Sequence, residues 1–368
     1  MIKRMEEIER LLNRIDYDKL WSGFSKTKYA IYDDKNFCIN DAEGIDMDLI
    51  ETSSFYVGKV DERFIGNTAI LLNDNYVAIW NMNTVTEDIE NERLASLLVH
   101  EMFHCFQFAN GEKRFPNELL GINYPITIEN VNLRTLERQY LLNANLEINR
   151  EKKMDLITSY FNIRNKREKL IGDILEYEKA IESVEGVAAY IEFKALNQLN
   201  KDKEVSNLKE YTKGFIDVSE KNLKIRHSSY IQGLLLGLIA DDYIPSWKNR
   251  FMNNESFLSD FIQEELDIKV EDIDYENENI TRIEECVINC VNKINLILDA
   301  FNKKLKSNIL KEGFELTAFD PMNIVKRDNE IIHTNLLKLK VDDIEQIIKG
   351  PVKTTIGNHL FDIKKIEW

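Results

Sequence analysis

The chain has few cysteines and no long apolar run, and both shortages restrict where it can work. Its four cysteines are scattered, apart from Cys286 and Cys290 at helical spacing, so they do not form a disulfide framework. The first fifteen residues are charged and amphipathic, unlike a signal peptide. The longest apolar run, YIQGLLLGLIA at residues 230–240, is shorter than the roughly 20 residues that span a membrane. We therefore expect a cytoplasmic protein with reduced thiols and no membrane partner.

Positive charge and nucleotide-binding motifs are also lacking. The chain carries 48 Lys and Arg against 64 Asp and Glu, a net charge of −16, which argues against a nucleic-acid partner or an anionic membrane surface. There is no glycine-rich phosphate loop and no G-x-S-x-G motif. Hydrophobic residues make up 43% of the chain and charged residues 30%, a composition typical of an ordered globular protein.

Proline is rare, with 5 in the chain, and this suits long helices. An amphipathic pattern predicts a helix in residues 1–15, and alternating segments predict strands between about 28 and 83, with a hairpin turn at Asn73-Asp74-Asn75. Residues up to about 308 then have helical patterns, and alternation returns after Gly313. We predict an α+β fold with a small N-terminal mixed sheet, a large helical region and a β-rich C-terminal segment. Residues 1–310 would form the main domain and residues 311–368 a β-rich module.

One stretch, LASLLVHEMFHCFQFAN at residues 94–110, places three polar side chains in an apolar run. His100, Glu101 and His104 form the pattern H-E-x-x-H, and histidines four residues apart on a helix can bind one metal ion. We predict this helix at about 87–110, and its apolar faces indicate burial. Core histidines bonded to backbone are the alternative, but the complete motif favours one zinc ion. Glu101 then suits a general base, because apolar neighbours and a nearby cation shift its pKa in opposite directions.

A catalytic zinc ion usually has three protein ligands and a water molecule, so a third ligand must come from elsewhere. His227 and His333 are candidates, but residues 176–192, EYEKAIESVEGVAAYIE, offer a better one. This segment has four glutamates on one helical stripe: Glu178, Glu182, Glu185 and Glu192. The stripe could be a solvated acidic face. However, apolar residues around Glu185 indicate burial, and small residues beside it leave room for another helix or a metal ion. We predict Glu185 as the third ligand.

The two motifs HEMFH and EGVAAYIE together resemble the gluzincin class of zinc metallopeptidases, in which two histidines on one helix and a glutamate on a later helix hold zinc. The resemblance implies a zincin-like fold, with His100, His104 and Glu185 as zinc ligands and Glu101 as the base that activates the bound water. It covers the two motif helices and the strands before them. The gap between His104 and Glu185 is longer than in thermolysin-like enzymes, so the subfamily is not identified. No metzincin continuation follows His104.

The same resemblance implies further features of the site. In such peptidases an edge strand pairs with extended substrate, and residues 75–83 are the candidate here, with an ordinary sheet edge as the alternative. A downstream tyrosine or histidine often stabilises the oxyanion; we assign this role first to Tyr230 and second to His227, although both could simply begin a helix. Metal-bound histidines usually bond an acceptor through their second nitrogen. Three residues lie on suitable helix faces: Gln107, Glu182 and Glu192.

The sequence therefore predicts a cytoplasmic zinc-dependent metallopeptidase with one zinc ion and a peptide or protein substrate. Two alternatives stay open. One is a non-catalytic protein on the zincin scaffold, with structural or regulatory zinc and a partner on its C-terminal segment. The other is a metal-dependent hydrolase of a non-peptide bond. Cleavage specificity and oligomeric state lie outside what these motifs determine.

Overall fold

The computed structural model describes residues 2–52, 54–86, 88–275, 279–304, 306–320, 323–342, 344–357 and 362–368. Its architecture is mixed α+β, with an N-terminal sheet, a helical middle and two C-terminal sheets in chain order. This confirms the predicted fold class at that level. All four cysteines are free thiols. Within the described ranges, no helix is both long enough and apolar enough to cross a bilayer.

The N-terminal part is a six-stranded mixed sheet preceded by two helices. Its elements are α1 (Ile2–Leu12), α2 (Tyr17–Leu20), β1 (Lys28–Tyr32), β2 (Asn36–Ile39), β3 (Ile50–Glu51), β4 (Tyr56–Lys59), β5 (Thr68–Leu72) and β6 (Asn75–Asn81). The strand order is β3-β4-β2-β1-β6-β5, and only the pairing of β1 with β6 is parallel. The sequence pattern did not indicate β2 or β3, because two to four residues are too few to show an alternation.

Strands β5 and β6 form the hairpin that the asparagine-rich turn predicts. Leu72 pairs with Asn75, and Asn73 adopts the left-handed conformation with a φ of 54°. However, the prediction that residues 75–83 form a sheet edge is wrong. Strand β6 pairs with β1 on one side and β5 on the other, so β5 is the edge strand. Alternation of side chains does not reveal the order in which strands pair.

The middle of the chain is helical. It contains α3 (Asn91–Ala109), α4 (Glu118–Ile122), α5 (Ile128–Leu146), α6 (Arg150–Ile171), α7 (Leu175–Ile181), α8 (Val187–Leu199), α9 (Glu204–Tyr211), α10 (Glu220–Leu223), α11 (Ile225–Tyr243), α12 (Trp247–Met252), α13 (Leu258–Glu265) and α14 (Ile280–Lys303). A π-helical segment, Glu182–Gly186, joins α7 to α8.

Helix α3 is the central element of the core. It packs on β6 from one side and on α8 from the other, with Leu98, Val99 and Met102 fully buried. The helix begins at Asn91, later than the predicted 87, because the Ile89 amide donates to the Thr86 carbonyl in a turn outside the helix. Glu87 itself lies outside the described residues. Burial on both sides agrees with the apolar pattern of this helix.

The C-terminal part is β-rich, as predicted. Its strands are β7 (Ile309–Leu310), β8 (Phe314–Phe319), β9 (Ile324–Arg327), β10 (Glu330–His333), β11 (Leu336–Val341), β12 (Ile344–Lys349), β13 (Val352–Ile356) and β14 (Ile363–Glu367). They form a five-stranded sheet in the order β7-β14-β13-β10-β9 and a three-stranded sheet in the order β12-β11-β8. Helix α14 packs against β9. The division at residue 310 stays a prediction.

His333 of β10 gives the C-terminal sheet a pH-dependent stability. Burial lowers the pKa of this histidine to about 4, and its Nε2 lies 3.0 Å from Thr354 Oγ1. The unfolded chain takes up a proton near pH 6.5 and the folded sheet resists it, so stability is complete above that pH and is lost as pH falls towards 4. Replacing His333 by Gln should make the decrease in the free energy of unfolding between pH 7 and pH 4 smaller by about 3 kcal/mol. Hydrogen exchange of β10 and β13, measured by mass spectrometry at both pH values, tests this, and an unchanged pH dependence would contradict it.

Candidate metal centre

The two histidines of the H-E-x-x-H motif share one face of α3. Their ring centroids are 4.8 Å apart, and both residues are buried, each 7% exposed. This follows from the helical period, which brings positions four residues apart next to each other. Both rings are therefore available to a single ion from the same side of the helix.

The third predicted ligand, Glu185, reaches this face of α3 from the π-helical segment. Glu182–Gly186 has one extra residue in its turn, which changes the direction of the side chains that follow. The segment is packed closely by α11: a Cβ atom on Gly186 would lie 2.5 Å from Gly233 Cα. Any side chain at either glycine would push the helices apart. Gly186 is therefore one of the small residues that admit another helix, as predicted. Its close packing on Gly233 of α11 holds Glu185 opposite α3.

The geometry of the cluster could hold one metal ion. Glu185 Oε2 lies 3.2 Å from His104 Nε2 and 3.5 Å from His100 Nε2. The three potential ligand atoms all lie within 4.8 Å of one another. Two imidazole nitrogens and one carboxylate oxygen form the donor set of many catalytic zinc sites, which leave a further position for water. The structure thus brings together the three residues predicted as ligands, in an arrangement that could hold one ion.

The second ring nitrogen of each histidine has its own partner. His100 Nδ1 lies 2.9 Å from Glu192 Oε2, and His104 Nδ1 lies 2.7 Å from Gln107 Oε1. The Gln107 amide in turn donates to the Val184 carbonyl at 3.1 Å. These contacts hold each ring with Nε2 towards Glu185, the usual arrangement around a metal-bound histidine.

Glu182 is arranged differently from the expectation. Its carboxylate contacts Arg164 Nη2 at 2.6 Å and Gln232 Nε2 at 3.2 Å, and the described contacts include none with either motif histidine. Glu178 likewise pairs with Arg167, and Glu137 of α5 bridges both arginines. The acidic stripe is therefore not a solvated face. Its first two members, Glu178 and Glu182, are buried and paired with arginines of α6, as buried carboxylates require.

Charges within the cluster shift the pKa values of its members in opposite directions. Burial by itself lowers the pKa of His100, but hydrogen bonds with Glu185 and Glu192 raise it to about 10. Burial opposes ionisation of Glu185, yet its bonds to both histidines hold its pKa well below the usual range. A divalent cation would compete with a proton for Nε2 of His100. The carboxylates of Glu185 and Glu192 would stabilise the positive charge of either one.

Glu101 lies at the wall of a cleft. It is 6% exposed, and burial raises its pKa while the two histidines lower it. The cleft has a volume of about 710 Å³. Besides Glu101, its lining includes His100, His227 and Tyr230. The two residues predicted for oxyanion stabilisation therefore face the same space as the base and one ligand.

Tyr230 and His227 differ in how closely they approach the cluster. The Tyr230 ring stacks on that of His100, with centroids 6.2 Å apart and planes inclined by 21°. Burial and the Glu185 charge raise the pKa of its hydroxyl. The side chain of His227 is largely exposed at the cleft wall, and its partial burial and the charge of Lys221 lower its pKa. Tyr230 thus contacts one of the predicted ligands through its ring.

Sequence reasoning missed Arg226, which organises the third ligand. Its Nη2 atom donates to Glu185 Oε1 at 2.9 Å and lies 3.4 Å from the Tyr230 hydroxyl, while Nη1 pairs with Glu118. Arg226 thereby holds one carboxylate oxygen of Glu185 and leaves the other to face the histidines. A signal was present, since Arg226 precedes Tyr230 by four residues and both lie on one helix face.

A second arginine, Arg93, was also missed. It pairs with Glu192 and contacts the Tyr211 hydroxyl, which donates to Glu192 Oε1 at 2.7 Å. Although burial opposes ionisation, Arg93 and the bond to His100 lower the pKa of Glu192 to about 2. Glu192 is therefore an anion that can stabilise the ring of His100 in one orientation.

Replacing Glu192 by Gln should weaken zinc binding by about 10- to 100-fold, because His100 loses its charged acceptor. Competition with a fluorescent zinc chelator at pH 7 measures the change. Glu210→Gln is the matched control, since Glu210 lines the same cleft and is exposed. Equal affinities in both variants and the parent protein would show that the Glu192 contact has no role in metal binding.

Comparison of the chain with family models, curated proteins and solved structures found no match in any of the three. The fold and the cluster must therefore be interpreted on their own chemistry.

Proposed function

We propose that this protein is a zinc-dependent metallopeptidase with a zincin-like active site of the gluzincin kind. The observation that carries the proposal is the convergence of His100 Nε2, His104 Nε2 and Glu185 Oε2, together with a cleft that His100 and Glu101 line. A structural zinc site is normally closed by four protein ligands, whereas three protein ligands that leave a further position for water are typical of catalysis. Within the described part of the chain, the cluster offers three potential metal ligands.

The chemistry divides between the ion and the residues around it. When bound, zinc supplies a Lewis acid that polarises a carbonyl group and lowers the pKa of water to about 7. Glu101 would accept the proton of the attacking water and deliver it to the leaving amine. Tyr230, whose raised pKa keeps its hydroxyl protonated, would donate a hydrogen bond to the oxyanion, with His227 as the second choice.

Extended substrate would bind along the edge of β5 rather than along β6. Strand β5 is the edge strand, and Asn67, directly before it, lines the same cleft as His100 and Glu101. Backbone pairing with an edge strand binds a polypeptide without requiring a particular sequence. A peptide or protein substrate therefore suits this cleft better than a small non-peptide ester or amide.

A library of internally quenched fluorescent peptides tests the proposal. We expect hydrolysis by the zinc-loaded protein, its loss on treatment with a chelator, and its return on addition of zinc. Mass spectrometry of the products locates the cleaved bond. No cleavage of any peptide, together with a zinc ion that has four protein ligands in a metal-bound crystal structure, would favour the non-catalytic alternative. Hydrolysis of simple esters alone would favour the non-peptide hydrolase.

A further inference from the structure

Three stacked aromatic rings and one leucine form an exposed apolar patch at one end of α3, and we call this patch the ladder. The Phe108 ring stacks on Tyr76 with centroids 5.4 Å apart and on Phe115 with centroids 5.0 Å apart, at interplanar angles of 17° and 14°. The exposed fractions of Tyr76, Phe108 and Phe115 are 37%, 36% and 40%. Leu71, paired with Tyr76 across the hairpin, is 52% exposed. A contiguous apolar patch of this kind usually marks a binding surface.

The helix relates this ladder to the metal centre. Glu101 and Phe108 are seven residues apart on α3, which is close to two full turns, so both lie on one stripe of the helix. At 1.5 Å per residue, their separation along the helix axis is about 10 Å. The ladder therefore lies on the same side of α3 as the general base.

Edge strand β5 gives a second estimate of the distance between the cleft and the ladder. It is preceded by Asn67, which lines the cleft beside the metal cluster, and reaches Leu71 of the ladder four residues later. At about 3.3 Å per residue this is about 13 Å. Ala69, between them, packs on the helix side of the sheet and leaves little bulk along the path. Both measures correspond to three or four residues of an extended chain.

We propose that the ladder, defined as Tyr76, Phe108, Phe115 and Leu71, binds an aromatic or large apolar side chain of an extended polypeptide substrate. That side chain would lie three or four residues from the bond that is cleaved. The inference rests on the proposed function and deepens it. Pairing with β5 does not select a sequence, whereas stacking on the ladder does. The rings are already stacked on one another, so little conformational freedom is lost when a substrate binds.

The substrate is favoured over a second copy of the chain because the ladder continues directly from the cleft. Strand β5 runs from the metal cluster to Leu71 without a strand on its outer side among the described residues. A polypeptide held at the metal centre by this edge cannot extend four residues in that direction without passing the ladder. A dimer interface would have no reason to begin at the catalytic cleft.

Binding to the zinc-loaded Glu101→Gln protein tests the inference without requiring turnover. The probes are fluorescein-labelled ten-residue peptides of Ala, Gln and Lys that carry one phenylalanine at successive positions, with an all-alanine version for comparison. Fluorescence anisotropy gives each dissociation constant. We expect one or two positions at which phenylalanine tightens binding about tenfold, as partial burial of a ring implies. Phe108→Ser and, separately, Phe115→Ser should remove this gain, and Ile148→Ser, a fully accessible apolar side chain elsewhere, should keep it.

The outcomes separate the inference from the proposed function. Cleavage of peptides by the parent protein with no positional preference for phenylalanine would overturn the ladder and leave the peptidase intact. A Phe108-dependent preference without cleavage by the parent protein would support the ladder and contradict the peptidase. If sedimentation equilibrium shows a dimer that Phe108→Ser dissociates, while peptide binding is unchanged, the ladder is an interface between copies and the inference is wrong.

Discussion

Replacing Glu101 by Gln should leave zinc binding intact and reduce peptide hydrolysis by about 10²- to 10⁴-fold, the usual contribution of a general base. Glutamine has the shape of the glutamate side chain but cannot accept the proton. The carboxylate is suited to this exchange because burial raises its pKa while the two neighbouring histidines lower it. The rate of hydrolysis of the best library peptide and the zinc content by elemental analysis together measure the two effects.

The control for this variant is Glu90→Gln. Glu90 lines the same cleft but is exposed, so its replacement should change neither rate nor zinc content. Unchanged turnover in Glu101→Gln would remove this residue from the mechanism. Loss of zinc together with activity would instead assign Glu101 a role in holding the site.

Replacing Glu185 by Ala should weaken zinc binding by more than about 100-fold. Even residues that only orient a ligand typically account for 10- to 100-fold in metal affinity, and Glu185 is itself the proposed third ligand. The variant also removes the carboxylate that Arg226 Nη2 contacts, so the positive charge of Arg226, still paired with Glu118 through Nη1, would face the ion. Titration with zinc in the presence of a competing chelator measures the affinity. Full zinc occupancy in the variant would reject Glu185 as a ligand.

Glu178→Gln provides the contrast, because it alters a buried glutamate of the same segment that does not contact the histidines. Glu178 is fully buried against Arg167, and although burial opposes ionisation, the arginines lower its pKa to about 2. Removing its charge should lower the free energy of unfolding by about 3–5 kcal/mol, since a buried arginine then lacks part of its partner. Zinc affinity of the folded protein should not change. Urea denaturation and zinc titration of both variants distinguish structural from metal-binding glutamates.

The glutamate stripe shows how far a periodic pattern can be used. Counting at 3.6 residues per turn placed four glutamates on one face, and Glu185 was selected by its small and apolar neighbours. In the structure the π-helical segment interrupts that period. Glu178 and Glu182 face arginines of α6, while Glu185 and Glu192 face the histidines. A single additional residue in the turn changes the phase of every later side chain, and no sequence rule available for a single chain predicts it.

The order of the strands could not be predicted from the sequence, for a different reason. Alternation identified β5 and β6 as a hairpin but did not show that β1 would pair with the free side of β6. That pairing is a contact between segments more than forty residues apart in the chain. It leaves β6 inside the sheet and β5 at its edge, directly after Asn67, which lines the cleft.

By itself, the sequence determined the local part of this protein: a buried helix that carries His100, Glu101 and His104 at a spacing suited to one ion, within an α+β chain. Local spacing suffices there because one helix holds all three residues in a geometry that depends only on its period. The sequence also selected Glu185 by its neighbours, but the tertiary structure alone decided how that carboxylate meets the imidazoles, which arginine holds it, and which strand remains open beside them. These contacts join distant segments, and they depend on close packing between helices, such as that of Gly186 on Gly233, which no single segment specifies.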